Sequence, residues 1–153
     1  MADICVIFAS ENEAVAQKLV LLLRGSWDVW WAGDIAQGDW EKEIRNEIGK
    51  TKAVVPIFSR HTQDKKIFKD ELRFAEKQGR LIFPLFIDEV DPPLGFGDLN
   101  RTNAFSWNGD DNHPGYKILI QKIAAKLGET KKPEKNIDRI PSLQLKNKNI
   151  KLP

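Results

Sequence analysis

The stretch that decides the fold is Ala53–Glu76, AVVPIFSRHTQDKKIFKDELRFAE, in which an apolar run leads through a polar loop into a helix. The run 53–58 is almost uniformly hydrophobic, a pattern typical of a parallel strand covered on both faces by helices. After the loop, three apolar residues recur at helical spacing: Phe68, Leu72 and Ala75. Glu71 lies at the edge of the stripe that they form, so we expect its carboxylate at the border between core and solvent.

Other apolar runs predict further buried strands. They are Ile4 to Ala9, Trp27 to Trp31, Arg80 to Ile87 and Ala104 to Trp107. Helical periodicity separates them, and Ser10-Glu11-Asn12-Glu13 matches a capping box that would start the first helix. Five strands alternating with helices predict a flavodoxin-like, three-layer α/β fold, with a parallel sheet in the order 2-1-3-4-5 and helices on both faces. Pro56 and Pro84 lie inside two of the runs, where a central strand disfavours proline.

This strand order places a candidate site. Ligands of open α/β sheets bind outside the carboxyl ends of the strands where the order reverses, here between strands 1 and 3. Strand 1 ends at Ser10 and strand 3 ends at Ser59. The loop from Ser59 to Glu71 is therefore predicted to rim a ligand crevice.

Composition limits the possible function classes. A chain of 153 residues with 41% hydrophobic residues predicts one domain with a core. The single cysteine, Cys5, excludes an internal disulfide and a cysteine-based metal site, and we interpret it as a buried thiol in a reducing compartment. Neither a membrane span nor a signal peptide is indicated, so we expect a cytoplasmic protein that does not enter a membrane.

The two ends of the chain differ in charge. Residues 1–128 are predicted to form the domain, and residues 129–153, rich in Lys, Asn and Pro, to form a linker or flexible tail. Because the tail carries a surplus of basic residues, the domain itself is slightly acidic. Nucleic-acid binding needs clustered cations on one face of the domain, so we do not expect a nucleic-acid partner.

Several familiar chemistries are missing from the sequence. There is no glycine-rich dinucleotide fingerprint, no Walker loop and no pair of histidines at metal-ligand spacing, so no metal site is predicted. His61 and His113 are interpreted as solvated side chains. A phosphorylated receiver domain would share the topology, but it needs an aspartate at the end of strand 3, where this chain reads PIFSR.

An ordered set of segments resembles Toll/interleukin-1 receptor (TIR) domains of bacterial type over residues 3–128. The segments are ICVIFAS, GDIAQGDWEKEI, PIFSRHTQDKKIFKDEL, LIFPLFID and AFSW. Some TIR domains are enzymes that cleave the nicotinamide–ribose bond of NAD+, releasing nicotinamide and ADP-ribose or a cyclic form. Others are adaptors that associate only with TIR domains.

The resemblance implies one of two functions for this chain. The first is an NAD+ glycohydrolase, with NAD+ as substrate and no separate cofactor, that serves as an effector module in antiviral defence and is activated by oligomerisation. The second is a catalytically silent adaptor. Both imply self-association and a fused or associated sensor domain.

The resemblance also carries residue roles. In the enzymes the essential glutamate follows the third strand in a pattern like serine, loop, W-x-x-x-E-L, and this position is Glu71 here. Ile67 stands where the family has its tryptophan, and this departure favours the adaptor. Four residues are implied in substrate binding: Phe8, Ser10, Asp34 and Ser59. A loop that contacts other TIR domains is implied to contain Gly33, Asp34 and Gly38.

Overall fold

A computed structural model describes residues 2–34, 40–97 and 100–128, and within them six short strands form one parallel sheet. The strands are β1 Ile4–Ile7, β2 Val29–Trp31, β3 Ala53–Phe58, β4 Leu81–Ile82, β5 Leu85–Phe86 and β6 Thr102–Asn103. The helices are α1 Glu13–Leu23, α2 Trp40–Lys50, α3 Lys66–Lys77 and α4 Pro114–Leu127. The sheet runs β2-β1-β3-β5-β6, with β4 also paired to β3. The predicted α/β class is confirmed, and so is the strand order once β4 and β5 are taken together.

The predicted fourth strand is split for a reason visible in its register. Val54 pairs with Ile82, and Ile57 pairs with Leu85, so both halves keep the same offset against β3. With that offset Pro84 falls opposite Pro56. Neither proline has an N–H to donate, so the ladder between the two strands is interrupted there.

The predicted fifth strand, Ala104 to Trp107, is wrong in position. The paired residues are those of β6, just before it, and Ser106 turns the chain with a φ of 65°. Two backbone hydrogen bonds still connect the predicted segment to the end of β5. Ala104 N–H donates to Phe86 O, and Ser106 N–H donates to Ile87 O. Trp107 instead fills the core, where its ring stacks on Tyr116 with centroids 5.8 Å apart.

Helices cover the sheet on both faces and enclose two apolar clusters. Buried side chains of α1 and α4 pack on one face, and those of α2 and α3 pack on the other. The side chains of β1 point alternately to the two faces of the sheet. Ile4 and Val6 pack on the α1/α4 face, and Cys5 and Ile7 pack on the α2/α3 face. The uniformly apolar run of β3 is explained, since all its side chains are buried.

The start of α1 differs from the prediction. Ser10 opens a short 3-10 turn, its side chain makes no capping bond, and α1 begins at Glu13. The capping box occurs instead after β3, where Ser59 Oγ accepts from His61 N–H at 3.0 Å and Thr62 Oγ1 accepts from Ser59 N–H at 3.1 Å. The sequence pattern of a capping box occurs only at Ser10, whereas the box that forms uses Thr62 in place of the usual glutamate or glutamine.

Asn12 joins the two loops that follow β1 and β3. Its Oδ1 accepts a hydrogen bond from Ser59 Oγ at 2.6 Å, and both residues are buried. On the surface nearby, Lys65 Nζ lies 3.2 Å from Glu11 Oε1. The carboxyl ends of the two central strands are therefore tied together.

None of the described helices is long and apolar enough to cross a membrane.

We expect Ser59→Ala to lower the free energy of unfolding by about 1–3 kcal/mol, because it leaves buried Asn12 Oδ1 without its donor. Ser10→Ala is the matched control and should cost less than about 0.5 kcal/mol, since the Ser10 hydroxyl is exposed and caps nothing. Urea unfolding of the three proteins measures both values. Equal losses would contradict the assignment of the cap to Ser59.

Candidate active site

Glu71 is buried in the second turn of α3. Its side chain is 5% exposed, and within the described ranges it makes no hydrogen bond or ion pair. The pKa of Glu71 is raised from 4.5 to about 8, chiefly by burial; the charges of Glu41 and Asp70 add to this shift, and Arg45 partly opposes it. The carboxylate lies deeper than the predicted border between core and solvent, and it holds a proton at neutral pH.

The neighbours of Glu71 come from β1, α2 and its own helix. Desolvation raises the pKa of the Cys5 thiol on β1, and the negative charges of Glu71 and Glu47 raise it further. On α2, Glu41 and Arg45 act on Glu71 through their charges. Glu71 therefore belongs to the α2/α3 face of the sheet.

An aromatic stack fixes the helix that carries Glu71. Phe68, one turn earlier on α3, meets Phe58 of β3 edge to face, with ring centroids 5.3 Å apart. Phe58 in turn stacks on Phe86 of β5 at 4.4 Å. Because these side chains are all buried, they hold the first turns of α3 against the centre of the sheet.

Asp70, the carboxyl group next to Glu71 on α3, has a cationic partner, which Glu71 lacks within the described residues. Asp70, next to Glu71, pairs with Lys66 Nζ at 2.9 Å, and the hydrogen bond from this lysine lowers the pKa of Asp70. Two adjacent carboxyl groups on one helix thus have opposite shifts. The exposed, paired one ionises readily, and the buried one resists ionisation.

Ile67 lies one turn before Glu71 on the same helical face. Its side chain is 52% exposed, so it stands at the solvent end of the face that leads to Glu71.

The structure does not bring all the predicted substrate-binding residues onto one face. Phe8 is half-buried against the α1/α4 cluster, with its ring centroid 5.7 Å from that of Trp31, whereas Glu71 lies on the opposite face. Ser10 is exposed beyond the end of β1, and Ser59 is fully buried with its hydroxyl bonded to Asn12. Their roles toward a substrate stay predictions.

The predicted contact loop is described only at its start. Gly33 lies in the 3-10 turn Ala32–Asp34, which leads toward α2. A Cβ at Gly33 would collide with the ring of Trp31, so this position favours glycine. Asp34 ends the turn, and Gly38 lies outside the described residues.

Glu71 does not line either of two open clefts found on the described surface. One of about 480 Å³ includes Glu89, Asp91, Arg101 and Asn103 at the carboxyl ends of β5 and β6. The other, about 470 Å³, lies beside the amino end of β2. Because neither lining includes the buried carboxyl group, the candidate site is centred on Glu71 and not on a cleft.

Sequence reasoning missed Arg45 as part of this site. Arg45 follows Glu41 by four residues, a spacing that by itself is typical of an ordinary exposed ion pair on one helix. The packing of α2 against α3 makes both charges act on Glu71. No signal within α2 alone reveals this, since the partner helix lies beyond the next strand.

The buried Glu71 predicts an unusual dependence of stability on pH. Because its folded pKa of about 8 lies above the unfolded value of 4.5, its contribution is fully present below the unfolded value and is lost as the pH rises through the folded one. Glu71→Gln mimics the protonated side chain and removes this loss. Between about pH 5 and pH 9 the variant should gain on the order of 2–4 kcal/mol relative to wild type. A difference in unfolding free energy that stays constant with pH would contradict the shift.

Comparison with known proteins agrees with this fold. The family model described as TIR domain matches residues 4–120. The TIR domain of the Toll-related receptor TRR-2 from Hydra magnipapillata superposes with a TM-score of 0.65 at 19% identity, covering 80% of this chain and 98% of that one. The TIR domains of the activated Roq1 resistosome, which directly recognises the pathogen effector XopQ, give a TM-score of 0.47 at 17% identity, covering 80% of this chain and 70% of that one.

No curated protein matches the chain. The family match nevertheless spans most of its length and includes every strand and three of the helices, together with the start of α4. The chain therefore belongs to the TIR domain family.

Proposed function

We propose that this TIR domain is an NAD+ glycohydrolase, which cleaves the nicotinamide–ribose bond to give nicotinamide and ADP-ribose or a cyclic isomer. The observation that carries the proposal is Glu71, a buried carboxyl group early in the helix after β3, at the position that matches the catalytic glutamate of the family's enzymes. Perturbed carboxyl groups of this kind are concentrated at functional sites.

A single carboxylate is enough for this reaction. Nicotinamide leaves as a neutral molecule from a cationic pyridinium, so no acid has to protonate it, in contrast to the usual pair of carboxyl groups in glycoside hydrolysis. The bond electrons go to the ring nitrogen, and the ribose becomes oxocarbenium-like. Glu71 stabilises this charge, and water or the adenine of the same dinucleotide then captures the cation.

The pKa of Glu71 fits a role that begins when substrate binds. In the protein alone, burial keeps the side chain protonated at neutral pH. The positive nicotinamide ring, placed beside it, favours the ionised form and lowers the pKa. Binding would therefore create the carboxylate where the ribose cation develops, and solvent would stay excluded from the pair.

The wider role follows from the same proposal. The domain acts as an effector in defence signalling, switched on when an associated sensor domain clusters several copies. Self-association through the loop that starts at Gly33 would bring residues of a neighbouring copy toward Glu71. NAD+ is then the substrate, and the chain requires no separate cofactor.

A silent adaptor is the second candidate. Ile67 in place of the family's tryptophan favours it. The two candidates agree on self-association and differ on nicotinamide release.

The test is incubation of the full chain with NAD+, clustered through a fused oligomer or on beads, with nicotinamide measured by chromatography. Glu71→Gln should reduce turnover by about 10²–10³-fold, the usual cost of removing one group that stabilises transition-state charge. Glu76→Gln is the matched control, since it removes an exposed carboxylate of the same helix whose charge is not among those acting on Glu71, and it should stay within a few-fold of wild type.

Two results would count against the proposal. Equal turnover by wild type and Glu71→Gln would remove Glu71 from the mechanism. No turnover by the clustered wild-type chain would favour the adaptor.

A further inference from the structure

Arg45 projects from α2 onto the helix that carries Glu71. The central carbon of its guanidinium lies 5.3 Å from the ring centroid of Phe74. Phe74 is three residues after Glu71 on α3, so the two side chains leave neighbouring turns of the same helix. The stacked ring thus holds the cation beside the turn that carries the carboxyl group.

The charges around Glu71 are otherwise unfavourable to its ionisation. Glu41 from α2 and Asp70 from α3 are both acidic, and Cys5 from β1 is a buried thiol. In the described part of the chain, Arg45 is the cation whose charge favours ionised Glu71. Lys66, which precedes Glu71 on the same helix, is already paired with Asp70.

We propose that Arg45 is a positioning residue, which supplies the balancing positive charge for Glu71 and so lets this carboxyl group ionise when NAD+ binds. The inference rests on the proposed function and deepens it. Arg45 contacts neither the ribose nor the nicotinamide in this account. It acts through Glu71. At a pH high enough to ionise Glu71 without help, Arg45 has no further effect on the rate.

Arginine suits this role better than lysine. Its planar, weakly hydrated guanidinium stacks on an aromatic face and keeps its charge at any working pH. A lysine would retain the charge without the same planar stacking. Arg45→Lys should therefore restore part of the function that an uncharged residue loses.

The variant that removes only the charge is Arg45→Met, whose chain can still cover the Phe74 ring. The structure offers a matched control in Arg73→Met. Arg73 also stacks on a ring, 5.2 Å from the centroid of Phe96, and it donates to Leu94 O. Its charge acts on Asp70 and is not among those acting on Glu71.

The activity test is a pH profile of kcat/KM for NAD+ cleavage by the clustered full chain. At about pH 7, Arg45→Met should be roughly tenfold slower than wild type, the effect of a shift of one pKa unit. At about pH 9.5 the two should agree within roughly twofold, because Glu71 is then ionised in both. Arg45→Lys should lie between them, and Arg73→Met should follow wild type. A loss that is equal at every pH, or one confined to KM, would overturn the proposal.

A second measurement does not depend on activity. The 13C carboxyl resonance of Glu71, assigned by its disappearance in Glu71→Gln, reports the ionisation of this side chain directly. Arg45→Met should raise the midpoint of its titration, and Arg73→Met should leave it unchanged. An unchanged midpoint in Arg45→Met overturns the inference, whereas missing NAD+ cleavage by wild type counts against the proposed function.

Discussion

A carboxyl group without a partner in the core is the constraint on which the rest of this site depends. Isolated burial of an ionised carboxylate is costly, and the group responds by holding its proton. Glu71 can stay in that position because α3 is fixed independently, through Phe68 on Phe58 and Phe58 on Phe86. The apolar packing that stabilises the domain therefore also raises the pKa of Glu71.

The loops at the carboxyl ends of β1 and β3 add a second level of order. Ser59 is bonded to Asn12 across the point where the strand order reverses, and its own loop is closed by Thr62. The entry to α3 is thereby fixed relative to β1. An acid that must meet a substrate within a narrow range of geometry benefits from such a rigid base.

Much of the fold was predictable because its signals are local and repeated. Uniform apolar runs, such as 53–58, identified the central strands, and the strand order followed from their alternation with helices. The failures involve partners distant in sequence. The break in the fourth strand arises from two prolines in register, Pro56 and Pro84, and the cap belongs to Ser59 rather than Ser10 because only Ser59 finds a buried partner.

The sequence predicted the position of the candidate site but not the environment of its side chains. The identity of Glu71 as the candidate acid followed from topology and from the family pattern, but its depth and its shifted pKa depend on how α2 packs on α3. For the same reason the sequence of α2 alone gives no indication that Arg45 acts on Glu71. A periodicity argument places a residue on a face of its own helix, and it does not say which charges the opposing helix brings to that face.

The most direct test of the account is a crystal structure of the clustered Glu71→Gln chain with NAD+, since this substitution should preserve the fold and slow cleavage. The account predicts the nicotinamide ribose beside the side chain at position 71, between α2 and α3. A dinucleotide bound only in the open cleft near Arg101 and Asn103, with position 71 still covered, would contradict it.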